Sequence, residues 1–411
     1  MTLHLAQPTT SAVPRSIWAI GVASLLLNVS TSIIFGLSAV YMATLGVSSG
    51  WISLLEGFVE ASSYAIKVLS GILSDYLMRR KLIMVWGFWI ATLARPVIAL
   101  SSTFGAASAA RLLDRVGNGI QATPRDALVA DLSPDDIKGT CFGLRQSLTT
   151  AGSFLGGIIA IVAMVLTSEN FHLVFWIATI PAVLAAIILV IAVKEPEHPE
   201  TIDTKEPTKK THSRHPITWK DIPHLGGTYW LLMIVVGVFM LARVSEAMLL
   251  LHAHLNFDLS AKYAPVIMIL YNGANSLVSY PIGRLSDRLD RQFLLGIGFV
   301  VLIVADVLLG WATNLPLMMV GVVLWGVQIG ITQSMFLALV ADTVPHDLRG
   351  TGFGFYYLIS SVSIVLSNSM GAFVAHNFGE GAIFMASSVI ACGALVLLML
   401  MSKKLRKTGV R

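Results

Sequence analysis

Apolar stretches alternate with short polar breaks along the whole chain. Twelve can be delimited, at 17–42, 52–73, 82–102, 104–130, 140–166, 171–193, 228–252, 263–284, 293–312, 317–342, 349–374 and 379–402. Each is near the roughly 20 residues needed to cross a bilayer's hydrocarbon as a helix. Tight joins between the third and fourth, and between the fifth and sixth, suit helical hairpins. The segment KEPEHPETIDTKEPTKKTHSRHP (194–216) is charged, Pro-rich and without apolar periodicity, so it reads as a flexible connection. It divides the spans six and six. The expected organisation is all-α and integral to the membrane: a six-helix bundle over 1–193, a connection over 194–226, and a second six-helix bundle over 227–411. TWKDIPHL (218–225) suits a short interfacial helix or a plain loop equally.

Composition supports the spans. The 411 residues are 55% hydrophobic and only 12% charged, with a mean hydropathy of +0.76, whereas soluble chains carry about 25% charged residues. The net charge of +5 does not point to nucleic acid, because its basic residues sit in short inter-span loops. Loops GVSSG (46–50), SSTFG (101–105), TSENFH (167–172), ATNLP (312–316) and HNFGE (376–380) carry no Lys or Arg, and Lys262 alone breaks that side's pattern. The opposite side holds Arg79, Arg80, Lys81, Lys138, the 194–216 segment, Arg288, Arg291, Arg349 and a basic tail. The positive-inside rule therefore places both termini in the cytoplasm. The N-terminal segment lacks the basic region and cleavage site of a signal peptide. Cys141 and Cys392 support neither a disulfide framework nor a metal site. His252-x-His254 supplies two ligands without a third and reads better as a solvated loop. No phosphate-cradling Gly loop occurs, which argues against ATP drive, and no cofactor or nucleophile constellation stands out.

The chain also repeats itself. ALVADLSPDDIKGTCFGL (127–144) returns as ALVADTVPHDLRGTGFGF (338–355), eleven of eighteen positions being identical. GILSDYLMRR (71–80) returns as GRLSDRLDRQ (283–292), so Asp75 corresponds to Asp287. Repeated halves with charged spans are the build of a secondary transporter. The pattern resembles the major facilitator superfamily over nearly the whole chain. Gly71-x-x-x-Asp75 with Arg79 and Arg80 is similar to that family's loop between spans two and three, departing at Met78, where Gly is usual. Arg115-x-x-Asn118-Gly119 resembles its fourth-span motif. Gly152-x-x-x-Gly156-Gly157 partly resembles its antiporter motif but lacks the following Pro.

Three sets of charged positions carry candidate chemistry. Asp75, Arg79, Asp287 and Arg291, at cytoplasmic helix ends, suit ion-pair latches that hold that side closed; Arg125, Asp131 and Asp342 are placed in the same gate. On the fourth span, Arg111, Asp114, Arg115, Asn118 and Arg125 fall within a strip roughly 100° wide, and such a strip should face protein or a watery cavity. On the second span, Glu56, Glu60, Ser63 and Lys67 share a strip roughly 60° wide. Glu56 and Glu60 repel one another one turn apart, so one of them is expected to take up a proton. Structural salt bridges are the competing reading. The resemblance implies a central pocket with Lys67, Arg111, Arg115, Arg145 and Arg243 opposed by Glu56, Glu60, Asp114 and Glu246. Tyr271, Asn272, Asn275, Trp325, Gln328, Tyr356, Tyr357 and Ser360 would line its other side.

Excess guanidinium suits a carboxylate or phosphate. Protonating an acid on the same surface would raise that excess, which is the logic of symport. The expected activity is alternating-access, proton-coupled transport of a small anionic or zwitterionic metabolite across a bacterial inner membrane, by a monomer without cofactors. An exporter of amphiphilic compounds driven by proton exchange is the alternative, and a non-transporting receptor ranks last.

Overall fold

The computed structural model describes residues 12–47, 49–194, 225–244 and 264–407, with Leu249, His252, Ala253 and Phe257 between the last two stretches. The described α-helices are α1 (Arg15–Thr44), α2 (Ser49–Leu77), α3 (Arg80–Leu100), α4 (Phe104–Leu132), α5 (Lys138–Leu166), α6 (Phe171–Ala192), α7 (Gly227–Leu241), α8 (Ala264–Ser286), α9 (Arg291–Trp311), α10 (Leu315–Thr343), α11 (Arg349–Phe378) and α12 (Glu380–Lys407). A 3₁₀ turn, His346–Leu348, precedes α11. Helix is the state that lets an open segment satisfy its own backbone in hydrocarbon. Side chains in the short loops set several starts. Thr103, Asn170 and Asn314 accept from the amides of Ala106, Leu173 and Leu317, the first exposed amides of α4, α6 and α10.

Eight of the described helices are long and apolar enough to cross a membrane by length and composition. The four others are α2, α4, α7 and α8. Helix α7 is apolar but has only 15 residues. Charge lowers α2 and α4; residues 121–130 of α4 are all buried, whereas α2 exposes Trp51, Phe58 and Leu69 along one side. Most of the 194–226 connection lies outside the described residues.

Within the first six helices, α1 packs on α5 and α6, α3 on α4 and α6, and α2 on α4. Within the last six, α9 packs on α10 and α12, α8 on α10, and α7 on α11 and α12. The two bundles meet along α2–α11 and α5–α8, contacts that the repeat interchanges. Glycine permits both. A Cβ at Gly71 would stand 2.3 Å from the Gly350 carbonyl oxygen, and one at Gly143 2.5 Å from that of Ser279. Backbones at these crossings touch directly, as small residues allow in membranes.

Two local departures from the sequence pattern stand out. The seventh apolar stretch, expected as one span over 228–252, leaves helical geometry after Leu241, and residues 242–244 are non-helical. Met78, which occupies the position where the family usually has Gly, adopts φ +50° in the turn between α2 and α3. That left-handed conformation explains the usual Gly, since a Cβ there costs roughly 1–2 kcal/mol.

Candidate transport site and gates

At the end of the bundle bearing the α2–α3 and α8–α9 connections, each half caps the other. The Asp75 carboxylate, from α2, accepts hydrogen bonds from the amides of Gly350 (2.8 Å) and Thr351 (2.6 Å) and from the Thr351 hydroxyl (2.8 Å). Asp287 does the same to the amides of Gly139 and Thr140 (both 2.7 Å) and the Thr140 hydroxyl (2.5 Å). Each acid thus sits on the N-terminus of a helix in the opposite half, α11 or α5, where unpaired amides and the helix dipole favour negative charge. Four basic residues complete the layer. Arg80 bridges Asp75 (3.4 Å) and Asp131, while Arg349 reaches Asp131 from the other half (2.6 Å). Arg291 bridges Asp287 (3.5 Å) and Asp342, while Lys138 reaches Asp342 across the halves (3.4 Å). Burial pushes the Asp287 carboxyl above the ordinary carboxylate range, opposed by the Thr140 bonds and by Arg291. Exposed Asp135 is held below that range by its hydrogen bond and ion pair with Lys138.

Sequence spacing selected Asp75, Asp131, Asp287, Arg291 and Asp342 for this layer, and the structure brings them together. Arg79 does not join them: it is exposed, and its neighbour Arg80 turns inward instead. Arg125, expected here too, sits deeper. Its Nε pairs with Asp126 at 3.2 Å, Arg145 Nε lies 3.6 Å from the same carboxylate, and the Tyr357 hydroxyl donates to it from α11. Lys67 completes this second layer, with Nζ 4.4 Å from the centre of the Tyr64 ring and 4.9 Å from that of Tyr357. Arg145 is 2% exposed, and its Nε and Nη2 have no hydrogen-bond partner.

Farther from the gate, Arg115 approaches Glu60 at 3.6 Å. Arg111 and Arg115 both lie 5.5 Å from the centre of the Phe35 ring. The Glu60 side chain is 47% exposed. Arg243 sits in the non-helical stretch after α7, its charge within electrostatic reach of Tyr64 and Tyr356. The Glu56 side chain and Glu246 lie outside the described residues.

Asp114, expected among the proton-coupling acids, is instead paired. Arg95, on α3, makes a buried ion pair with it and also donates to Ser30 (3.0 Å) and Thr31 (2.8 Å) on α1. Arg111 at 3.8 Å and the Asn118 amide at 3.2 Å complete its surroundings. Arg95 was absent from the candidates read off the chain. Its signal is a lone charge inside the apolar run GFWIATLARPVIAL, which in hydrocarbon calls for a carboxylate partner.

In the second half, Asn272 donates to Met268 on its own helix and Tyr271 packs edge-on against Trp325. Gln328 is fully enclosed and donates to Thr332 one turn on, so it does not line an open surface. Tyr356 stacks edge-on with Tyr357 beside the Asp126 layer. His252 is buried, with Nε2 3.1 Å from the Leu309 carbonyl, rather than solvated.

A family model, the Major Facilitator Superfamily, matches residues 19–271 and 232–410. The chain belongs to that family. It is 26% identical over 351 residues to an uncharacterised MFS-type transporter of Methanocaldococcus jannaschii, covering 84% of each chain. Among solved structures it is similar to the human organic anion transporter MFSD10, with a TM-score of 0.75 at 17% identity over 93% of this chain and 99% of that one. The fucose:proton symporter FucP of E. coli gives 0.72 at 11% identity, over 93% and 98%. The protein is an integral membrane transporter of small molecules with the family's two-bundle fold, and transporters of this family are generally not enzymes.

Proposed function

We propose that the chain transports a small organic anion in symport with protons, by alternating access, and that the conformation described is closed on the cytoplasmic side. Arg145 carries the reading. A guanidinium 2% exposed, with Nη2 unfilled and Nε only ion-paired to Asp126 at 3.6 Å, beside Arg125 and Lys67, is arranged to receive oxyanion acceptors that water cannot readily supply there. Glu60 supplies the coupling. It is loosely paired with Arg115 and accessible, so protonating it releases Arg115 toward the anion and links the two cargoes in one direction. The basic loops support a cytoplasmic position for both termini and the interlocked layer, and the resemblance to the family supports a bacterial inner membrane. The names of the organic anion transporter and of the proton symporter, which share this fold, agree with such cargoes.

The test is thermal stabilisation of the detergent-purified protein by organic anions, amino acids, sugars and lipophilic cations, at acidic and neutral pH. Stabilisation by anions that strengthens at acidic pH and disappears in Arg145→Gln is expected. Stabilisation by lipophilic cations that survives the substitution would reassign the protein to the exporters.

A further inference from the structure

An acid in the second half lies outside everything assigned above. Asp306, on α9, is 0% exposed. Its Oδ2 meets the Ser387 hydroxyl of α12 at 2.5 Å, and its Oδ1 has no hydrogen-bond partner. Among the described residues no basic side chain pairs with it. The described parts of the elements around it supply no such partner either. Helix α10 has no ionisable residue before Asp342, and α12 has none between Glu380 and Lys403 except exposed Cys392. On α7 the one phenol, Tyr229, is engaged with the Gly352 carbonyl; on α8, Tyr271 packs on Trp325. His252 is turned to the Leu309 carbonyl, and Arg243 places Nη1 3.8 Å from Met240 Sδ.

The hydrogen count decides what Asp306 carries. Ser387 Oγ also bonds the Ala242 carbonyl, the oxygen left bare where α7 ends. A serine hydroxyl has one hydrogen, so it cannot donate to both a carboxylate and that carbonyl. Both contacts are hydrogen bonds only if Asp306 is a carboxylic acid: its O–H donates to Ser387, and Ser387 donates to Ala242. The next carbonyl along, that of Arg243, is capped in the same way by Ser367 of α11 (2.9 Å).

We infer that Asp306 is a proton-binding site of the second half, and that its proton holds the broken end of α7 to α12. Loss of the proton to water leaves a carboxylate. Ser387 then turns its hydrogen to that charge, because the charge-assisted bond is the stronger, and the Ala242 carbonyl loses its donor. The end of α7, beside Arg243, thereby loses its tie to α12, while Ser367 of α11 still holds the Arg243 carbonyl. Counting from the gate, Asp306 is 15 residues along α9 from Arg291, or about 22 Å, so this proton exchanges with the side away from the interlocked layer. The assignment holds whatever the cargo.

Infrared spectroscopy of the purified full chain tests it, with Asp306→Asn and Ser387→Ala compared in K⁺ and in Na⁺ at neutral pH. A protonated carboxyl stretch is expected in the wild type, missing from Asp306→Asn and shifted in frequency in Ser387→Ala. The asparagine amide can donate to Ser387 as the acid does, so this variant keeps the α7 contact, and the serine variant keeps the acid should the other misfold. A wild type without the band, or a band indifferent to both substitutions, overturns the proposal. A band present in K⁺ and erased by Na⁺ overturns it in favour of a metal cation.

Discussion

Neutralising Asp75 should release the closed gate without unfolding either bundle. In Asp75→Asn the side chain keeps its size, but three bonds to the N-terminus of α11 lose their charge assistance and Arg80 loses one of its two carboxylates. Charge-assisted bonds contribute about 1.5–3 kcal/mol each and neutral ones about 1, and the asparagine retains one acceptor. The closed state is therefore expected to lose about 3–7 kcal/mol relative to the open one, or about 10²- to 10⁵-fold in the closed-to-open ratio. The amides of Gly350 and Thr351 report this directly, because they are the groups Asp75 covers. Hydrogen–deuterium exchange of a peptide spanning 346–355 should accelerate by that factor. A peptide spanning 136–144, capped by Asp287, should accelerate as well, because one gate opens at both places. Asp287→Asn should give the reciprocal pattern. Unchanged exchange at 346–355, or faster exchange across every helix alike, would refute the interlocked-cap account.

Three further outcomes follow from the same contacts. Removing either member of the Arg95–Asp114 pair by leucine should cost about 3–5 kcal/mol of stability, seen as a lower melting temperature in detergent, with the double substitution costing less than the sum. Met78→Gly should stabilise by about 1 kcal/mol by relieving the left-handed turn, whereas unchanged melting would mean that the strain is absorbed elsewhere. Partial desolvation and Arg349 hold the largely exposed His346 ring below the ordinary imidazole value, opposed by Asp131; the closed gate thus prefers the neutral ring, its contribution is present above that ordinary value, and it is lost as acidification charges the ring. Exchange at 346–355, corrected for intrinsic rates, should therefore rise on acidification in the wild type and rise less in His346→Gln.

Much of the protein was decided along the chain itself. Apolar run length placed the spans to within a few residues for most helices, because crossing hydrocarbon is a local requirement that each segment meets alone. The repeat paired Asp75 with Asp287 and Asp131 with Asp342, and the structure gives each pair matching partners. What each charge touches was a tertiary matter. Arg79 and Arg80 are adjacent and chemically identical, yet only the second turns inward, because the Met78 turn and the start of α3 set its direction. Asp114 looked available until α3 laid Arg95 against it. The end of α7 at Leu241 is invisible to hydropathy, since it is held by hydroxyls of Ser367 and Ser387 more than a hundred residues away. Periodicity along one helix fixes which residues share a face; the partner across that face is fixed only when the helices pack.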